Sequence, residues 1–93
     1  MRGASDGIAE FIQKVVVFRL EILCDPGTVV SLDDDVVRKL RVDSDDLSFD
    51  FIPNVEEELG VRVPAKEWLK VRTVRDACAT LETHYRNHII SAR

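Results

Sequence analysis

The sequence predicts an all-α fold: a four-helix bundle with a long loop between helices one and two and a short third helix. Three observations predict it. Apolar residues recur at helical spacing in three separate segments, the segments are set apart by Pro/Gly punctuation, and the β-branched runs are short and flanked by helix formers. Ninety-three residues make a single domain, 1–93, with room for one modest core.

The first helix is expected over residues 6–23, "DGIAEFIQKVVVFRLEIL". Ser5 or Asp6 is placed to cap its start. Ile8, Phe11, Ile12, Val15, Phe18 and Ile22 follow the helical period and predict the buried stripe. The run "VVVF" at 15–18 would suit a strand, but its length and the surrounding Glu, Gln, Lys and Arg favour helix. "CDPG" at 24–27 ends the segment. Residues 28–46 read as a long loop, with a helical turn around 34–40 capped by Asp33 or Asp34. Val36, Val37 and Leu40 are spaced to pin this loop to a core, and a loop of this length in a small domain usually has a function.

The second helix is expected over 47–59, with Leu47, Phe51, Ile52, Val55 and Leu59 on one face. Pro53 removes a backbone N–H and crowds the preceding turn, so the helix either kinks there or is well formed only from Pro53 onward. Gly60 is the expected left-handed cap. "AKEWLK" at 65–70 suits a short helix carrying Trp68 at the core or its edge. A last long helix follows, opened by a Thr73/Asp76 capping pair, with Val74, Ala77, Cys78, Leu81 and Tyr85 as its apolar stripe.

Charge narrows the function. The net charge of −4 argues against nucleic-acid binding. Residues 33–60 hold ten acids and three bases, whereas residues 61–93 hold seven bases and three acids. The acidic middle third reads either as a solvated face or as a surface that steers basic protein partners. Cys24 and Cys78 lie in no metal-ligand spacing; a disulfide between them is one reading, but a small secreted scaffold usually has more cysteines, and the favoured reading is two partly buried thiols of a reducing, cytoplasmic compartment. Residues 1–5 are followed by no apolar signal-peptide core, and the apolar runs are too short to span a membrane.

Other constellations are weaker. "DSDDLSFD" places Asp43 and Asp45 at the first and third positions of a calcium loop. The fifth, sixth and twelfth positions are then Leu47, Ser48 and Asn54, and the EF-hand reading fails. His84 and His88, one turn apart, read as a surface pair, since no further ligand joins them. Cys78 falls on the buried stripe, where a reactive thiol is not expected.

Two segments resemble the acyl carrier proteins. "VVRKLRVDS" is similar to the family's approach to its modified serine. "VEEELGVRVPAKEWLKVRTVRDACATL" is similar to the end of the second helix, the Val-Pro turn, the short third helix and the start of the fourth. Together they cover most of residues 36–81; the first helix matches only in character. The resemblance implies an acyl-carrier-like four-helix bundle that does not itself catalyse. It would carry an acyl or related thioester on a 4'-phosphopantetheine arm at Ser44. Its partners would be a phosphopantetheinyl transferase and basic acyl-handling enzymes, met by a monomer through Asp43, Asp45, Asp46, Asp50, Glu56 and Glu57.

The family's Asp-Ser-Leu is here Asp43-Ser44-Asp45-Asp46-Leu47, one residue longer when both segments are matched, and Arg41 stands where glycine is common. An exposed serine at a helix start suits a phosphodiester, because the dipole and open N–H groups favour the anion. The same position equally suits a Ser44 N-cap without an arm, and Ser48 is further from the family spacing. The alternative is therefore a degenerate carrier fold, an acidic protein-interaction or regulatory module.

Overall fold

A computed structural model describes residues 7–24, 26–36, 38, 39, 45 and 47–91, the side chains of residues 90 and 91 excepted. Among the described residues there are four α-helices, α1 Ile8–Leu23, α2 Ile52–Leu59, α3 Ala65–Trp68 and α4 Val74–Ser91, and no strands. The all-α class and the helix order follow the sequence expectation. No helix among the described residues is long and apolar enough to cross a membrane.

α1 opens on Gly7 at φ +80, and the carbonyl of Gly7 accepts the Phe11 N–H (3.0 Å). Ser5 and Asp6, expected as caps, lie outside the described residues. The "VVVF" run is helical, and the buried face is Ile12, Val15, Val16 and Leu20. This corrects the predicted stripe. Phe11, Phe18 and Ile22 are 43%, 57% and 58% exposed. Well over half of this helix is apolar, so two stripes compete, and α4 and α2 claim the one through Val16 and Leu20.

The long loop is clamped to the start of α4. Val36 N–H donates to the Arg72 carbonyl (2.9 Å), Val74 N–H to Asp34 (3.0 Å) and Arg75 N–H to Leu32 (2.7 Å). A helix start leaves its first N–H groups without intrahelical acceptors. Here the loop supplies acceptors for Val74 and Arg75, and Thr73 Oγ1 takes the Asp76 N–H (3.1 Å). Val36 is buried as expected, whereas Val37 and Leu40 lie outside the described residues. The loop's own turn is capped by Asp35 instead of Asp33 or Asp34: Arg38 N–H donates to Asp35 Oδ1 (2.8 Å) and Lys39 N–H to the Asp35 carbonyl (2.9 Å). Asp34 accepts from Ser31 N–H (2.9 Å), and Asp33 pairs with Arg75 (3.1 Å), so neither carboxylate takes the capping role.

The Thr73/Asp76 box forms as the sequence predicts. Asp76 Oδ2 accepts the N–H groups of Thr73 (3.2 Å) and Arg72 (3.1 Å). Those two bonds, Thr73 first, hold the Asp76 carboxyl below its ordinary value of 3.8. A depressed carboxyl stabilises the fold above its unfolded pKa, and that contribution is lost as pH falls through the folded one. Asp76→Asn is therefore expected to flatten the acid limb of stability below about pH 4. Thr73→Ala is expected to cost about 1 kcal/mol at neutral pH. Urea unfolding at a series of pH values checks both.

Before α2 the chain runs as a π-helix, Leu47–Phe51, and Pro53 sits in the first turn of the α-helix that continues it. Closing bonds over five residues interrupts the α ladder just where Pro53 has no N–H to give. The helix is thus widened ahead of the proline, a solution the sequence reading did not include. α2 ends in a full Schellman motif on Gly60 (φ +70): Val61 N–H reaches Glu56 O (3.0 Å) and Gly60 N–H reaches Glu57 O (3.3 Å).

The core joins Ile12, Val16 and Leu20 of α1 to Val55 and Leu59 of α2 and to Val74, Ala77 and Leu81 of α4. Val61 and Val63 close it from the α2–α3 connection. The α2 and α4 stripes match their predicted faces. Cys24 is half-buried and Cys78 buried, and they are not joined in a disulfide. Burial pushes the Cys78 thiol up to about 11, with Glu82 adding to the effect and Arg75 opposing it. At pH 8 a thiol reagent is expected to label Cys24 first and Cys78 only on unfolding, as peptide mapping would show.

Candidate functional site

An apolar cleft of about 210 Å³ lies between the start of helix two, α3 and the clamped loop. Leu47, Phe51 and Ile52 form one wall, and Val36, Trp68 and Val71 the others. Trp68 meets Phe51 edge-on, ring centroids 6.2 Å apart at 80°, which fixes both rings. Asp35, Arg38 and Arg72 stand at the polar margin of the cleft. Phe51 and Val71 line it, whereas Val55, Leu59 and Val74 are consumed by the core below. Trp68, placed by the sequence at the core or its edge, is half-buried and is also a wall of the cleft. The contribution of Val36 depends on the loop clamp, which no local pattern announces.

The expected site residues do not share one setting. Ser44, Asp43 and Asp46 lie outside the described residues. Asp45 is exposed, as are Ser48 and Asp50 on the π-helical run. Asp50 borders a small crevice with Arg19, Ile22 and Asn54. Glu57 is exposed and faces a broad concavity of about 920 Å³ that also holds Arg62, His84 and His88.

Glu56, expected among the partner-contact acids, is bonded within the chain. Its Oε2 accepts the Val63 N–H (2.8 Å) and, at 3.5 Å, the indole N–H of Trp68. The carboxylate is half-buried and serves the turn after α2. Sequence reasoning missed Phe49, which is 77% exposed next to Asp50 on the π-helical run.

The histidine pair is split in use. His84 Nε2 lies 2.9 Å from Glu67 Oε1 and ties α4 to α3, while His88 is exposed beside Gly60. No group of three metal-binding side chains occurs among the described residues.

No protein-family model matches the chain. The cleft offers an apolar slot with one carboxylate and two guanidinium groups at its edge, next to a helix that presents carboxylates outward.

Proposed function

We propose that the chain is an acyl-carrier-like protein, holding an acyl or related thioester on a 4'-phosphopantetheine arm at Ser44 for basic partner enzymes. The observation that carries this reading is the apolar cleft of about 210 Å³ at the start of helix two. At about 30 Å³ per water-sized group it admits roughly seven such groups. It fits a short acyl chain, and a longer one would project past Arg38 and Arg72.

The π-helical run supports the same reading. The acidic turn carries one residue more than the carrier pattern, and a ladder that closes over five residues takes up one residue without turning the buried face. Ser44 and the Val55–Thr73 segment then both keep their correspondence with the family pattern. When bound, the arm would supply the thiol that carries the acyl group; this chain would contribute the serine, the shelter and the acidic docking face. Cytoplasmic carriage between enzymes of fatty acid or polyketide type is the setting this implies.

The test is intact mass after incubation with coenzyme A, magnesium and a broad-specificity phosphopantetheinyl transferase. A phosphopantetheine-sized gain is expected, abolished by Ser44→Ala. No gain, with a known carrier modified in the same tube, would overturn the reading.

A second reading, a carrier fold without an arm acting as an interaction module, is favoured by Phe49. An aromatic ring exposed among Asp45 and Asp50 fits a basic partner that offers an apolar socket. In that case the mass is unchanged, and Phe49→Ser abolishes partner binding while altering stability by no more than about 0.5 kcal/mol.

A further inference from the structure

α1 carries an apolar strip that the bundle leaves uncovered. Phe18 and Ile22 are more than half exposed, and Val17 is half-buried beside them. Lys14, Val17, Phe18 and Glu21 follow the spacing i, i+3, i+4, i+7, and together with Glu10 and Gln13 they line a shallow concavity of about 390 Å³ on the outer face of the helix. Four residues so spaced form the hole that receives a knob from a facing helix. Lys14 and Glu21 are both exposed, and neither side chain has a hydrogen bond or ion pair among the described residues. Arg19, by contrast, is held by Glu58 (3.0 Å) and lies over the Phe18 ring at 5.9 Å from its centroid, which restricts that ring.

This arrangement is self-complementary. Set a second α1 antiparallel to the first, with a two-fold axis between Val17 and Phe18. Val17 then stands opposite Phe18 of the second copy, and Lys14 stands opposite Glu21, each pairing made twice. A two-fold interface uses one patch on both partners, so a residue pair of opposite charge symmetric about the axis satisfies itself. A parallel pairing would instead set Lys14 against Lys14 and Glu21 against Glu21.

We propose that the outer face of α1 is a docking surface for a second copy of this chain, packed antiparallel with Phe18 in the Lys14–Glu21 hole. One helix face is small against the roughly 1,200–2,000 Å² of a stable interface, so the dimer is weak, reversible and concentration-dependent. The inference is independent of the carrier reading, because α1 contributes nothing to the cleft and no arm is needed for pairing. It predicts the opposite of the monomer expected from sequence.

Sedimentation velocity over a wide concentration range at low salt tests it. The full chain is expected to rise toward twice its 10.6 kDa mass. Lys14→Glu alone and Glu21→Lys alone each place like charges across the axis twice and are expected to weaken association about tenfold. Both positions are exposed, so the variants should remain folded, which circular dichroism verifies. Mixing the two single variants is expected to restore a dimer, since each then offers the charge the other lacks, and the double variant is expected to dimerise alone. A wild-type chain that stays monomeric throughout overturns the proposal. So does a dimer indifferent to both single changes, which would place the contact elsewhere.

Discussion

Leu81→Ala is expected to cost about 2–5 kcal/mol of unfolding free energy. Leu81 is fully buried in the middle of α4, in one cluster with the inward face of α1 and with Val55 of α2. Truncation removes the apolar burial and leaves a void between helices, and the surrounding backbone can collapse only in part. Whole domains of this kind hold about 5–15 kcal/mol, so the loss is a large share of the total. The melting temperature should fall by roughly 10 °C or more. Phe18→Ala, on the exposed strip of α1, is the matched control and should change stability by about 0.5 kcal/mol or less in dilute protein. Urea denaturation reads both. Equal effects from the two variants would mean that α1 is rotated so that Phe18 faces inward.

Glu56→Ala is expected to cost about 1–3 kcal/mol, because it leaves the Val63 N–H without its acceptor in a partly buried turn. The indole N–H of Trp68 loses its longer bond at the same time. Trp68 emission should therefore shift, and since this is the only tryptophan the signal is unambiguous. Glu56→Gln keeps an acceptor oxygen of the same shape and should cost less. Glu57→Ala removes an exposed acid and should leave stability and emission unchanged. If the Glu56 and Glu57 variants behave alike, both are surface acids of the kind the acidic run suggests by itself.

The parts of the fold legible in the sequence are those decided by neighbours in the chain. The Thr73/Asp76 box, the Gly60 cap and the stripes of α2 and α4 each follow from residues within one or two turns of one another. α1 was not legible in the same way. Its run of valines and phenylalanines offers two apolar faces, and only the positions of α2 and α4 select between them. Asp33, Asp34 and Asp35 are chemically identical, and the cap falls to Asp35 because Val36 is anchored to Arg72. Glu56 is likewise one of three consecutive glutamates, and it is singled out by Val63 and Trp68 further along. At the candidate site, the conflict between Pro53 and a continuous helix was visible in the sequence, but the π-helical run that precedes Pro53 depends on the burial of Phe51, which no local pattern announces.

The clamp between the loop and α4 ties together segments that are distant in sequence, across the whole of α2 and α3. Closing so large a loop is costly in chain entropy, so this union should form after the helices have met and should be among the first to separate. Val36, one wall of the cleft, is held by that union. Amide exchange at Val36, Val74 and Arg75 should therefore occur through a common opening, faster than at Leu81, and its rate would report how often the slot is unlatched from the side of the loop.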